Sequence, residues 1–97
     1  MSRKGNNLYI TYPIICHTGE YGEEIIIPSV DLIIPRLSEN NHKWMSLVRI
    51  AVQLQCRINV YEGKDIPLPR PITTKDFITY NIDLQSAELD YIRCEIR

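Results

Sequence analysis

No apolar run in this chain approaches the roughly 20 residues that cross a bilayer as a helix. The longest, such as Ile25-Ile26-Ile27 and Leu32-Ile33-Ile34, are far shorter, so no membrane partner is expected. The four glycines, Gly5, Gly19, Gly22 and Gly63, match neither a phosphate-cradling loop nor a dinucleotide fingerprint. Histidine is scarce, and the adjacent pair Cys16-His17 falls on a strand pattern that sends the two side chains to opposite faces. Without a C-x-x-C or H-x-x-x-H beside them, no metal or other cofactor is expected. Cys16, Cys56 and Cys94 are odd in number and widely separated, the pattern of reduced, packed thiols rather than a disulfide framework. The opening residues Met1 to Asn7 are polar and lack an apolar signal core, so a cytoplasmic location is expected. Charge of one sign is lacking too: 11 Lys and Arg against 12 Asp and Glu leave a net charge of −1. Such a balance gives no global field to hold a nucleic-acid backbone, and any such contact must be local.

What is present suits one small domain over residues 1–97, since 44% hydrophobic and 24% charged residues are ordinary for a globular chain. From Leu8 to His17 the even positions Leu8, Ile10, Tyr12, Ile14 and Cys16 are apolar or aromatic, a period of two that marks a strand. Thr18 to Gly22 supplies the glycines of a hairpin turn, and Glu24 to Ile27 the returning strand, ended by Pro28. Leu32 to Ile34 forms a third short strand before Pro35. Ser38, Asn40 and Asn41 offer caps for a helix with Trp44, Val48, Ala51, Leu54, Ile58 and Tyr61 at helical spacing. His42, Ser46, Arg49, Gln53 and Arg57 form its opposite face. Gly63 stops the helix, and Pro67, Pro69 and Pro71 force a proline-rich connector over residues 64–76. Alternation of Ile78, Tyr80, Ile82 and Leu84 predicts a fourth strand over Phe77 to Leu84. Ile92, Cys94 and Ile96 predict a fifth, with Ala87-Glu88-Leu89 able to open a short helix instead.

The expected fold class is therefore α+β: a small, mostly antiparallel β-β-β-α-β sheet plus a C-terminal strand, with one long helix on one face. The other face, with Tyr9, Thr11, Ile15, Ile26 and Phe77, is left without a lid, which predicts a homo-oligomer, a dimer or larger. Tyr91, Arg93 and Glu95, with Arg97, alternate outward on the last strand and are the candidate residues for a two-stranded ribbon across the dimer. No convergent catalytic set is visible, and no enzyme is expected. Glu20, Glu23 and Glu24 read as a solvated hairpin tip, His42 as a polar surface residue, and Trp44 as a core anchor rather than a base-stacking platform. Lys43, Arg49 and Arg57 on the helix, with Tyr9 or Tyr21 for stacking, make RNA binding without catalysis the alternative reading.

Several features together resemble the HicB antitoxin domain. They are Tyr12-Pro13 closing the first strand, the Gly19 to Gly22 hairpin, the strand ending at Pro28, the long helix, and Gly63-Lys64-Asp65-Ile66-Pro67-Leu68-Pro69. The likeness covers residues 8 to 84. The family's Asp-Leu-Pro-Gly-Cys element is replaced here by Ser29-Val30-Asp31-Leu32-Ile33, and its Glu-Glu-Ala helix start by Lys43-Trp44-Met45. The resemblance implies a partial ribonuclease-H-like sheet, dimerisation, and occlusion of a small RNA-cleaving toxin of the HicA type, with the Asp31 to Glu39 segment, and Asp31, Arg36 and Glu39 in it, as partner-binding residues. It implies no catalysis, and Leu8 to His17 contains no Asp or Glu to begin a ribonuclease H metal site. Longer relatives carry a C-terminal DNA-binding domain; the helices of such a domain do not follow Tyr91 to Arg97, so DNA is not an expected partner.

Overall fold

The computed structural model describes residues 8–96. Strand β1 (Leu8–Gly19) turns tightly into β2 (Gly22–Ile27), then a 3-10 turn at Pro28–Val30 leads into β3 (Leu32–Pro35). The long helix α1 (Asn41–Tyr61), a short helix α2 (Thr74–Thr79) and β4 (Glu88–Ile96) complete the chain. The four strands form one sheet in the order β3-β2-β1-β4, with every pairing antiparallel. This is the α+β architecture expected, with α1 packed on one face.

Alternation decides what each face buries. Tyr12 and Ile14 of β1, Ile25 and Ile27 of β2, and Ile92, Cys94 and Ile96 of β4 face α1, whose Trp44, Val48, Val52 and Cys56 meet them. These helix residues recur every fourth position and make a narrow apolar stripe. The cap is Asn40, whose side chain accepts the Lys43 amide at 3.0 Å. At the other end Gly63 (φ 81°) takes the left-handed conformation, the Gly63 amide bonds Val60 and the Lys64 amide bonds Asn59 at 2.7 Å. That pairing terminates a helix by turning its last carbonyls back on the chain. The three cysteines are free, Cys56 and Cys94 buried and Cys16 half-buried. Burial pushes the Cys94 thiol up to about 11 against the opposing charge of Arg49.

Three expectations are corrected. Phe77 to Leu84 is not a strand: Thr74–Thr79 is helical, and Thr74 to Asp76 belong to α2 rather than to the connector. The signal that won is a capping box, Thr73 with Asp76 three residues on, followed by a left-handed Asn81 (φ 53°) that ends the helix. Asp76, Phe77 and Tyr80 turn inward at helical spacing while Ile78 and Leu84 lie in water, which the apparent alternation had hidden. Second, Leu54, Ile58 and Tyr61 do not pack on the sheet; they lie on the outward side of α1. The helix is apolar on two sides, and contact with the sheet selects only one. Third, the sheet face away from α1 is half covered. Ile15 and Ile26 are fully buried beneath Ile72, Phe77, Tyr80, Ile82 and Ala87, whereas Tyr9 and Thr11 stay exposed. The β4 strand is formed, and Ala87 to Leu89 opens no helix. Arg97 lies outside the described residues.

Tyr12 ties the layers together. Its hydroxyl donates to the Pro67 carbonyl at 2.7 Å and lies 3.7 Å from Cys56 Sγ, so one side chain joins β1, α1 and the connector. Burial, reinforced by Cys56, pushes its ionisation well above the ordinary tyrosine range. Replacing Tyr12 by Phe strands that carbonyl and is expected to cost about 1 kcal/mol. Gly63→Ala, which forces a β-carbon into the left-handed region, is expected to cost about 1 kcal/mol as well. Urea unfolding monitored by circular dichroism checks both.

Candidate functional site

The proline-rich connector does not lie flat on the sheet. Between Pro69, Arg70, Pro71 and Ile72 on one side and Thr11, Pro13, Leu89, Asp90 and Tyr91 on the other runs a groove of about 430 Å3. Its floor follows from register: Pro13 is opposite Tyr91 and Ile15 opposite Leu89, so these side chains share the face that α1 does not cover. Leu89 is 63% and Tyr91 69% exposed, and together with Pro13 and the prolines they make a mostly apolar trough beside the covered Ile15.

The connector wall is held by a clamp. Arg70 grips Asp76 with two nitrogens, Nη1 to Oδ2 at 2.9 Å and Nη2 to Oδ1 at 2.7 Å, a bidentate geometry that fixes direction as well as distance. The Arg70 amide also donates to Ser29 Oγ at 3.1 Å, which pins the wall to the turn between β2 and β3. Asp76 Oδ2 in turn accepts the Thr73 amide at 2.8 Å. With Arg70 beside it, the Asp76 carboxyl is held down to about 2 from its usual 3.8, despite burial acting the other way. A second tie is Tyr80, whose hydroxyl donates to Asp31 and whose ionisation is pushed up to about 12, by burial first and Asp31 next.

The expected site residues distribute as follows. Asp31 and Arg36 flank β3 at its two ends, roughly 16 Å apart along an extended strand. Asp31 is engaged by Tyr80. Arg36 lies over the Trp44 ring at 4.3 Å and donates to the Glu39 carbonyl at 2.9 Å, so Arg36 and Glu39 are neighbours at the entry to α1 while Asp31 is remote from them. Lys43 and Arg57 are exposed about 21 Å apart along α1. Arg49 turns aside and donates to the Arg93 carbonyl of β4 at 3.2 Å. The three cations are thus not brought into one patch. On β4, Tyr91 and Arg93 are exposed and Glu95 is half-buried, with Arg93 stacked 4.4 Å over Tyr9. The edge of that strand is partly occupied: the Glu95 carbonyl accepts from Gln53 at 2.7 Å, and the Tyr91 amide donates to Asp90 at 2.8 Å.

His17 is a residue whose role the sequence did not announce. It is 4% exposed on the face away from α1. Nε2 lies 2.8 Å from Glu24 Oε1, and Nδ1 accepts the Asp83 amide at 3.2 Å. An amide can only donate, so Nδ1 is the acceptor and Nε2 carries the hydrogen. Glu24 therefore leaves the solvated hairpin tip and helps hold the segment after α2 onto the sheet; Glu20 and Glu23 remain exposed. The Cys16 thiol is pushed up by burial and by Asp90, Glu88 and Glu23. Among the described residues no group of three or more His, Cys, Asp or Glu could hold a metal ion, and no helix is long and apolar enough to cross a membrane.

The clamp predicts a pH signature. Because the folded-state pKa of Asp76 lies below its unfolded value, its stabilisation is complete above about pH 4 and disappears as pH falls through about 2. With Arg70 half-exposed, the stake is about 1 to 2 kcal/mol. Asp76→Ala, which also removes the capping box, is expected to cost about 2 to 3 kcal/mol at pH 7 and to flatten the stability profile between pH 4 and 2. Urea midpoints across that pH range check this. Comparison of the chain with protein-family models, with curated proteins and with solved structures finds no match in any of the three.

Proposed function

We propose that this chain is a non-catalytic docking module that covers a partner protein with the open half of its sheet. The observation that carries the reading is the groove between the connector and the β1–β4 face, with Leu89 and Tyr91 exposed side by side on its floor. Exposed aromatics such as Tyr91 are among the side chains that supply most of the free energy of protein interfaces, and Leu89 adds apolar area beside it. The wall is preorganised by the Arg70–Asp76 clamp, so little chain ordering is lost on binding.

The partner implied by the HicB resemblance is a small RNA-cleaving toxin of the HicA type, neutralised by occlusion. The partial ribonuclease-H-like form of the sheet belongs to the same proposal. Binding of RNA by the domain itself is less favoured by the geometry, since Lys43 and Arg57 are far apart, Arg49 is turned to β4 and Tyr9 is already stacked by Arg93.

The test is co-expression with a HicA-type toxin, followed by co-purification and growth rescue. The wild-type chain is expected to bind and to restore growth. Leu89→Glu combined with Tyr91→Glu is expected to weaken binding at least tenfold with a change in stability of about 0.5 kcal/mol or less, both residues being exposed. Unaltered binding by the double variant removes the groove as the docking site. Steeply salt-dependent RNA binding without any toxin binding replaces the proposal with the RNA reading.

A further inference from the structure

The outward side of α1 carries a second apolar stripe that the other described residues leave largely open. Leu47 is half-buried, while Ile50, Leu54, Ile58 and Tyr61 are 49%, 51%, 48% and 93% exposed. At 3.6 residues per turn these five side chains fall within about 80° of helix circumference. That side lies opposite the Trp44, Val48, Val52 and Cys56 stripe. The spacing of the outer stripe is 3, 4, 4 and 3 residues, a palindrome that keeps the stripe on one side of the helix without following a strict heptad.

It is also symmetric about Leu54. A two-fold contact requires one surface to complement itself, each residue i meeting j while j meets i. Laying a second α1 antiparallel across this one, with the two-fold axis at Leu54, puts Leu47 opposite Tyr61, Ile50 opposite Ile58, and Leu54 opposite itself. No apolar side chain in the stripe is left without a counterpart.

Charge agrees with the same arrangement. Helix α1 contains no Asp or Glu over Asn41–Tyr61, and Lys43 continues the stripe one turn before Leu47. The same reflection brings Lys43 against the chain just beyond Tyr61, where Glu62 and Asp65 follow. Neither Lys43 nor Asp65 has an ion pair among the described residues. Parallel alignment would instead place Lys43 beside Lys43 and lose the mirrored apolar pairs.

We infer that the outer face of α1 is a self-association surface, on which two copies of this chain pair antiparallel about Leu54. This surface is separate from the groove and from the β4 edge, and the inference stands independently of the docking function proposed above. A seam of about four helical turns is smaller than a standard interface, so the dimer is expected to dissociate on the order of tens of micromolar.

Sedimentation of the full chain from micromolar to millimolar concentration is expected to show a monomer–dimer equilibrium. Leu54→Glu and Leu54→Arg each set like charges against one another at the axis and are expected to sediment as monomers, with far-ultraviolet circular dichroism and melting unchanged. Mixed in equal amounts, the two variants are expected to form a heterodimer, because Glu then meets Arg; only a contact in which position 54 faces its own copy makes that prediction. Lys43→Glu is expected to weaken the dimer severalfold, and adding Asp65→Lys to restore it. A wild-type chain that stays monomeric, or mixed Leu54 variants that remain apart, overturns the inference. Capture of an acidic amphipathic helical peptide by a monomeric chain reassigns the stripe to a different partner.

Discussion

Ile15 and Ile26 face one another across the β1–β2 pairing on the side of the sheet that α1 does not reach, and both are entirely withdrawn from water. Burying two such side chains stabilises the fold by about 1.5 to 3 kcal/mol each, provided something apolar lies over them. A single helix cannot cover both faces of a sheet. The chain answers by returning through the proline-rich connector and α2, which lay Ile72, Phe77, Tyr80 and Ile82 on the second face. Much of what looks functional follows from that incomplete lid. It covers the β1–β2 half and stops short of β4, and the groove is the gap at its margin.

The polar groups serve this second layer. Arg70–Asp76 bonds the connector to α2, Tyr80–Asp31 bonds α2 to the end of the 3-10 turn, and His17 links Glu24 of β2 to the amide of Asp83. None of these spans the α1 face, where apolar packing is joined by the Tyr12 hydroxyl and by the Trp44 indole N–H donating to the Pro35 carbonyl. Polar residues of the helix are partly absorbed by backbone carbonyls. Arg49 and Gln53 reach over β4 to bond the carbonyls of Arg93 and Glu95. Side chains so placed satisfy backbone groups that a sheet edge otherwise presents to other strands.

Where periodicity had only one physical cause, it was readable. The β1 alternation, the glycine turn into β2, the Asn40 cap and the Gly63 stop each depend on a few adjacent residues, and each formed as local chemistry dictates. Reading failed where two patterns overlapped. Ile78, Tyr80, Ile82 and Leu84 imitate a strand, yet Thr73 and Asp76 cap a helix, and a cap that satisfies otherwise orphaned amides outweighs weak strand preference. The α1 sequence likewise offers two apolar stripes, and period alone does not rank them.

Near-neighbour chemistry is enough to specify four strands, the long helix with its cap and stop, the extended proline segment, and the lack of an apolar run long enough to span a membrane. Contacts between distant segments settled which side of α1 is buried, that the second sheet face is half closed, and that Arg70 meets Asp76 while Asp31 stands apart from Arg36 and Glu39. The difference is one of range. Hydrogen-bonded turns and caps act over three or four residues, whereas burial is settled between segments tens of residues apart, as when Tyr12 reaches Pro67.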